Sequence, residues 1–284
     1  MPELPEVETI ARSLRNSTQR EFTAADTMQT RPGIIGRRIR DGHVQWPRTI
    51  AAPSVPVFLS RIKHQTVEEV TRRGKFLVLR LTNNVLLIHL RMSGDIRVEL
   101  DRPDTVQKHD RVKLAFTDGA RLVFNDPRKF GRIWLEEDPQ RILGGLGPEP
   151  FSDELTPEYF LKMLNRRKRI VKTLLMDQSF IAGLGNIYSD EALHLAHIHP
   201  LQQTSRLNPD QSSRLLDSIR LVLLDGIRRN GASIDWVYRG GEFQNYFNVY
   251  QRTGKPCSTC GEPIQRIVVG QRGTHFCPRC QSMT

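Results

Sequence analysis

The first eight residues of the chain place a proline and three carboxyl groups where they could do chemistry. If Met1 is removed, Pro2 presents a secondary amine at the end of the chain, with Glu3 and Glu6 within reach. An α-amino group has a pKa of roughly 8, so a useful fraction is an uncharged nucleophile near neutral pH. Such an amine attacks an aldehydic carbon to form an iminium ion, while a neighbouring carboxyl group shuttles protons. The segment is therefore a candidate catalytic terminus.

The same residues also suit the start of a helix. Proline lacks the N–H that would go unpaired there, and carboxylates complement the positive end of the helix dipole. Apolar residues then recur at helical spacing in Val7, Ile10, Ala11 and Leu14. The segment predicts a helix, and by itself it leaves the catalytic interpretation open.

The four cysteines form two C-x2-C pairs separated by sixteen residues, namely Cys257 with Cys260 and Cys277 with Cys280. Two thiolate pairs at this spacing close a tetrahedral site around zinc, and a redox dithiol is the alternative. Four thiolates leave no open position for substrate, so we predict one structural zinc ion. Residues 271–274 are expected to form a hairpin tip, with Arg272 pointing away from the metal and suited to contact phosphate. Three histidines, His194, His197 and His199, have poor spacing for a second metal cluster, and we interpret them as surface or core residues.

A short glycine loop precedes a predicted helix in the second half of the chain. The loop spans 183–187, and the helix is expected over 188–197. Glycine lets backbone N–H groups approach an anion, and Asn186 can cap the helix or bind phosphate. A basic run at 166–169, with Lys172, lies just upstream and is either a solvated face or part of an anion site.

Two turn segments in the first half carry side chains that could enter a nucleic acid. The segment 126–131, with the sequence DPRKFG, places a cation and an aromatic ring at a turn. This combination can enter a groove and wedge between bases. The segment 89–94, with the sequence HLRMSG, puts Met92 at the end of a strand. Either segment alone would be interpreted as ordinary packing.

The charge of the chain favours a polyanionic partner. Among 284 residues, 42 Lys and Arg oppose 31 Asp and Glu, which gives a net charge of +11 divided as +6 in residues 1–150 and +5 in 151–284. An excess spread over the whole molecule is typical of a protein that grips nucleic acid, and a merely basic enzyme is the alternative. No signal peptide or membrane span is predicted, since the longest apolar run, 85–90, is too short to cross a bilayer. We expect a cytoplasmic protein.

The elements that must position these residues change character along the chain. Segments 75–81, 85–90, 111–116 and 121–124 have the composition and turn spacing of a β-sandwich or barrel. The small and rigid residues at 144–150 indicate a linker.

Beyond this linker the pattern becomes helical. An N-cap signal at Asn208-Pro209 precedes an apolar stripe that reaches Ile227. Residues 231–256, rich in glycine and aromatic side chains, are predicted to form a mobile loop that leads into the cysteine module.

Five segments occur in a fixed order between Pro2 and Cys280: PELPEVET, HLRMSG, DPRKFG, the loop from Gly183 to Tyr188, and the four-cysteine finger. Together they resemble the bacterial formamidopyrimidine-DNA glycosylases. The resemblance implies an α+β fold with duplex DNA in the cleft between domains. Its parts are an N-terminal catalytic β-sandwich domain (1–143), a linker (144–150), a helical helix-two-turn-helix DNA-binding domain (151–248) and a zinc finger (249–284).

The resemblance also implies roles for individual residues. Pro2 matches the nucleophile that attacks C1′ of a damaged nucleotide, and Glu3 the general acid or base that assists ring opening. Lys75 matches a proton-transfer residue of β-elimination, and Arg272 the residue of δ-elimination. The DNA-contact positions match His109, Arg128, Arg167, Lys172 and Asn186. The trio that fills the gap left by a flipped nucleotide matches Met92, Arg128 and Phe130. Lys129 stands where the family commonly carries a second arginine.

The implied activity is that of a bifunctional DNA glycosylase and abasic-site lyase that excises 8-oxoguanine and formamidopyrimidines and cleaves the strand by β,δ-elimination. We expect a nucleoid-associated bacterial monomer that binds double-stranded DNA carrying oxidised bases or abasic sites. An endonuclease VIII-like glycosylase for oxidised pyrimidines is one alternative, and a non-catalytic damage-binding protein is another. The opening LPEVE and the segment 231–247, which resembles a lesion-covering loop, favour the purine branch.

Overall fold

The chain forms two compact units. The computed structural model describes residues 1–15, 33–100, 107–233 and 240–283. The first unit comprises Met1–Gly144 together with Asn230–Gly241, and the second comprises Gly145–Arg229 together with Glu242–Thr284. The sequence assigned residues 230–241 to the helical domain, whereas the described residues among them, 230–233 and 240–241, belong to the first unit.

The first unit is built mainly of strands. Its helices are α1 (Leu4–Arg15), α2 (Val55–Ile62) and α3 (Gln140–Leu143). Its strands are β1 (Ile39–Val44), β2 (Ile50–Ala52), β3 (Val67–Arg73), β4 (Phe76–Leu81), β5 (Val85–His89), β6 (Asp95–Glu99), β7 (Asp110–Phe116), β8 (Arg121–Asn125) and β9 (Arg132–Glu136). The predicted strands and the helix near the start of the chain are confirmed, whereas α2 was not predicted.

These strands form two sheets that share one core. One sheet has the order β2-β9-β5-β4-β3 and the other β1-β7-β8-β6. Neighbouring strands are antiparallel except β2 and β9, which are parallel. Leu79 and Ile88 of the first sheet lie in the same buried cluster as Val112 and Leu122 of the second. Alternating strand residues thus meet between the sheets, and the predicted β-sandwich is confirmed.

The second unit combines helices with a small hairpin. Its elements are α4 (Pro157–Asn165), α5 (Val171–Leu175), α6 (Asn186–Leu195), α7 (Pro209–Arg228), β10 (Gln265–Val269) and β11 (Arg272–Phe276). The side chain of Asn208 accepts from the Gln211 backbone, and the Gln211 side chain accepts from the Asn208 backbone, so α7 begins with a reciprocal cap. The predicted helices in this part are confirmed, and no described helix is long and apolar enough to cross a membrane.

The segment that follows α7 differs from its prediction. The ring of Phe243 stacks on Tyr188 of α6 at 5.1 Å, and the edge of Phe247 meets Phe243 at 5.4 Å. Val249 is fully buried. Residues 242–250 are therefore packed rather than mobile, because their aromatic side chains cover α6. Residues 234–239 of the predicted loop lie outside the described residues.

Candidate active site and metal centre

A carboxylate fixes the start of the chain. Pro2 is buried, and the Glu3 N–H donates to Glu6 Oε2 at 2.7 Å. The other oxygen, Glu6 Oε1, accepts from the Ala232 N–H at 2.7 Å. Gly231 has a φ of +79°, and a Cβ there would lie 2.6 Å from Glu6 Oε1. Only glycine suits this position, so the segment beside Pro2 is held in place by one side chain and one close backbone approach.

Lys75 is buried in the sandwich. It precedes β4, a strand that contacts α1, and its side chain is 4% exposed. His89, on the neighbouring strand β5, accepts from the Arg91 N–H through Nδ1 at 3.0 Å. Burial, together with the charges of Arg91 and Lys75, lowers the pKa of His89 to about 3. The imidazole is therefore neutral, and it adds no positive charge beside Lys75.

Asp126 joins the two turn segments of the sandwich. Its buried carboxylate accepts the Ser93 hydroxyl and the Arg128 N–H, the latter at 3.1 Å. The second oxygen accepts the Gly131 N–H at 2.7 Å. The backbone N–H of Asp126 donates to the carbonyl of His109 at 2.9 Å. One side chain thus fixes the segments 89–94 and 126–131 to each other and beside His109.

These turns present apolar and cationic side chains to solvent. Met92 is 36% exposed and Phe130 is 48% exposed. The Arg128 guanidinium lies 5.1 Å from the centre of the Phe130 ring. The Lys129 ammonium lies 3.9 Å from the centre of the Trp46 ring. The turns fixed by Asp126 therefore present one cation, Arg128, and two apolar side chains, Met92 and Phe130.

The structure corrects the prediction that Lys172 contacts DNA. Its side chain is fully buried, and Nζ donates to Asn186 O at 2.9 Å, to Ser189 Oγ at 2.6 Å and to the Asp190 carboxylate. A direct contact with DNA does not fit this position, because a buried cation is stabilised by its partners rather than by solvent. Arg167, in contrast, is exposed as expected.

The side chains of α6 hold the hairpin and the segment before it. Asn186 Nδ2 donates to Gly273 O at 2.9 Å, and Asp190 Oδ2 accepts the His275 N–H at 2.8 Å. Glu191 accepts the N–H groups of Asn248, Val249 and Tyr250 at 2.9, 3.0 and 2.8 Å, and also Asn248 Nδ2 at 3.1 Å. Polar side chains of α6 therefore bind the hairpin of the cysteine module and the segment that precedes it.

The turn of the hairpin lies at residues 270–271, earlier in the chain than the predicted tip at 271–274. Gly270 and Gln271 both have positive φ, at 55° and 61°, as a two-residue type I′ turn requires. Arg272 is the first residue of β11 and is exposed. The guanidinium thus stands beside a tight and rigid turn.

The four cysteine sulfurs form one cluster. Their Sγ atoms all lie within 4.8 Å of one another, with Cys257 3.9 Å from Cys280 and Cys260 3.4 Å from Cys277. A tetrahedron with metal–sulfur bonds of about 2.3 Å has edges of about 3.8 Å, so these sulfurs fit one zinc ion. Burial and the neighbouring sulfurs raise the pKa of Cys280, which a divalent cation would reverse by replacing the thiol protons. The four cysteines hold one structural zinc ion.

Comparison with known proteins matches each part of this structure. Residues 1–133 match the formamidopyrimidine-DNA glycosylase N-terminal domain, 146–237 match the H2TH domain of the same enzymes, and 254–282 match the zinc finger found in FPG and IleRS. The formamidopyrimidine-DNA glycosylase of Protochlamydia amoebophila is 39% identical over 99% of both chains. That of Ligilactobacillus salivarius is 41% identical with the same coverage.

The chain belongs to the formamidopyrimidine-DNA glycosylase family.

Solved members of this glycosylase family have the same fold along their whole length. A structure of MutM in complex with DNA containing carbocyclic 8-oxo-G has a TM-score of 0.86 and 36% identity, and the match covers 99% of this chain and 100% of that one. The Lactococcus lactis enzyme in complex with Fapy-dG containing DNA gives the same values. The same enzyme bound to DNA with an AP site has a TM-score of 0.85.

Some residues that shape this glycosylase site escaped the sequence prediction. Asp126 lies inside the DPRKFG segment, which was interpreted from the cation and the aromatic ring of that segment and not from its carboxylate. Asp190 and Glu191 lie on a helix whose acids look solvent-exposed, and no spacing rule marks them as backbone acceptors. Only the burial of α6 on all sides, visible in the structure, reveals their role.

Proposed function

We propose that the protein excises oxidised purines such as 8-oxoguanine and formamidopyrimidines from duplex DNA and cleaves the strand at the resulting abasic site. Membership of the family over the full chain supports this reaction class. Relatives solved with 8-oxo-G, Fapy-dG and abasic-site DNA support the same substrates. Such a protein works with the bacterial chromosome in the cytoplasm.

The observation that carries the proposal is the anchoring of the chain start by Glu6. Its carboxylate binds the Glu3 N–H and the Ala232 N–H at 2.7 Å each, so the peptide next to Pro2 has a fixed position. An enzyme gains most from a nucleophile that is already oriented, because the entropy of orientation is then lost during folding. A merely structural helix start would not need this second anchor.

In this mechanism, the uncharged amine of Pro2 attacks C1′ of the damaged nucleotide. The glycosidic bond breaks and its electron pair leaves with the base, which takes up a proton. Glu3, 2% exposed beside Pro2, donates or accepts the proton that accompanies opening of the sugar ring. The product is an iminium ion between Pro2 and C1′.

Strand cleavage follows from this iminium ion. Removal of a C2′ proton expels the 3′ phosphate by β-elimination, and loss of a further proton expels the 5′ phosphate by δ-elimination. We assign proton transfer in the first step to Lys75, which is 4% exposed and directly precedes β4. We assign the second step to Arg272, which orients the leaving phosphate.

The turns of the sandwich take the place of the extruded nucleotide. Unstacking a base costs a few kcal/mol, which exposed wedges offset by restoring contacts with the stack. We assign this role to Met92, Arg128 and Phe130, which the Asp126 carboxylate holds in place. His109, Arg167 and Asn186 are assigned to phosphate binding, which makes the affinity depend on salt.

Borohydride trapping on a duplex with an abasic site tests the lyase proposal. Protein whose mass shows that Met1 is absent should form a covalent adduct, and Pro2→Gly should lower the yield while duplex binding survives. Protein that retains Met1 serves as a matched control and should give no adduct, because its Pro2 nitrogen is an amide. Absence of an adduct with processed wild type would favour a non-catalytic damage-binding protein.

Excision assays on two lesions test the substrate class. We expect faster release of 8-oxoguanine opposite cytosine than of thymine glycol. The opposite preference would identify an endonuclease VIII-like glycosylase.

A further inference from the structure

His194 contacts the zinc site from outside the cysteine module. It lies in the last turn of α6, and its side chain is 5% exposed. The Nε2 atom is 3.5 Å from Cys257 Sγ, a residue that is itself 4% exposed. Sulfur acceptors lie farther from their donors than oxygen acceptors do, so 3.5 Å is the separation of an N–H···S hydrogen bond. The metal ligands are thereby joined to a helix of the preceding domain.

The chemistry of the cluster decides which atom carries the proton. A cysteine that binds zinc is a thiolate, which can only accept. The imidazole must therefore be the donor, with its hydrogen on Nε2. Four thiolates around one Zn²⁺ leave a net charge of −2 in a largely buried site. N–H donors aimed at sulfur stabilise that charge, as the Cys280 N–H does at 3.4 Å from Cys277 Sγ.

The place of His194 on α6 distinguishes it from an ordinary core histidine. Asn186, Asp190 and His194 follow one another at four-residue spacing on one face of the helix. The first two bind the backbone of β11 at Gly273 and His275. His194 continues the same face, and its partner is a metal ligand instead of a backbone group.

We propose that His194 is an outer-shell residue of the zinc site, which stabilises the Cys257 thiolate by a hydrogen bond and couples α6 to the metal. Removal of an outer-shell partner typically costs 10- to 100-fold in metal affinity. The inference is independent of the glycosylase activity, because its consequences concern the bound metal.

Zinc release from the full-length protein to a colorimetric chelator tests the proposal. His194→Phe keeps a ring without an N–H, and it should weaken zinc binding by about 10- to 100-fold. His194→Gln restores an N–H donor near the Nε2 position, and it should bind zinc nearly as well as wild type. His197→Asn removes the neighbouring exposed imidazole as a matched control, and it should leave zinc release unchanged.

The cobalt-substituted protein gives a second readout. Loss of the hydrogen bond should shift the thiolate-to-cobalt charge-transfer band in His194→Phe and leave it in place in His194→Gln. Should the Phe variant fail to fold, His194→Met offers a similar volume without a donor. Wild-type zinc release and an unshifted band in the variant without a donor would overturn the proposal, as would equal losses in the Phe and Gln variants.

Discussion

The β-sandwich and the zinc module are stabilised by different physical means. In the sandwich, both sheets and α1 bury a continuous apolar cluster. In the module, the buried cluster consists of Val249, Cys257, Ile264 and Cys277, and two of these residues are metal ligands. A hairpin without a core of its own needs other partners.

Those partners are the metal and the polar face of α6. Besides the two cysteines, the module buries Val249, Ile264, Val269 and Phe276, and so few apolar side chains are a small core for a separate module. Structural zinc contributes about 10–16 kcal/mol in comparable fingers. Local order near the candidate DNA contact Arg272 therefore depends on the metal and on hydrogen bonds. Near Pro2, the hydrogen bonds of Glu6 are added to a helix that packs on a large apolar core.

The largest expected effect is that of zinc removal. A chelator should unfold β10 and β11 and abolish DNA binding, since the Arg272 turn loses its support. The sandwich should remain folded because its core contains no metal ligand. Hydrogen exchange followed by mass spectrometry measures both regions in one sample.

The cysteines of the chain all belong to this cluster, so no other thiol complicates the experiment. Protection of β10 and β11 that persists without metal would contradict the difference between the two regions. Loss of protection in β4 and β5 would contradict it as well.

The second effect concerns the carboxylate of Glu191. Its two oxygens accept four N–H groups, three of them from the backbone of residues 248–250. Glu191→Ala removes the acceptor of all four donors, of which the Val249 N–H is buried, and it should destabilise the second unit by about 3 kcal/mol. Urea unfolding measures the loss, and hydrogen exchange should locate it at residues 248–250.

Two further variants sharpen this result. Glu191→Gln retains one acceptor oxygen and should lose less stability than Glu191→Ala. Glu154→Ala removes an exposed glutamate of the same unit and should change stability by less than about 0.5 kcal/mol. If the variants at 191 behaved like Glu154→Ala, the module would be held by its metal alone.

Periodicity and ligand spacing predicted most of the sandwich and the metal site. Strands β4 and β5 follow from their apolar residues and the Asn83-Asn84 turn, and α7 follows from Asn208 and its apolar stripe. The cysteine spacing predicted the zinc cluster. These features are local, because a strand, a cap or a ligand pair is encoded within a few residues.

The parts that depend on distant partners were not predictable in the same way. Lys172 looked like a surface cation in a basic run, yet Asp190, eighteen residues later, draws it into the interior. Residues 242–250 looked like a loop, because the acceptor for their N–H groups is on α6. Burial of a charged group depends on a partner that no local pattern specifies.

The sandwich also contains a group that makes its stability depend on pH. His89 is 7% exposed, and burial with the nearby charges of Arg91 and Lys75 lowers its pKa to about 3. In the unfolded chain an imidazole has a pKa of about 6.5. Below that pH the unfolded state binds a proton that the folded state does not, so stability is complete above pH 6.5 and is lost as the pH falls towards 3.

The smallest expected effect is therefore a loss of about 2 kcal/mol from the sandwich between pH 7 and pH 5, since each unit below 6.5 costs about 1.4 kcal/mol. His89→Asn keeps an acceptor for the Arg91 N–H but does not titrate, so most of this loss should disappear. His64→Asn replaces an exposed histidine of the same unit as a matched control and should behave like wild type. Urea unfolding followed by tryptophan fluorescence, which includes Trp134 of β9, measures the difference. Parallel pH profiles for wild type and His89→Asn would contradict the assignment of this pH dependence to His89.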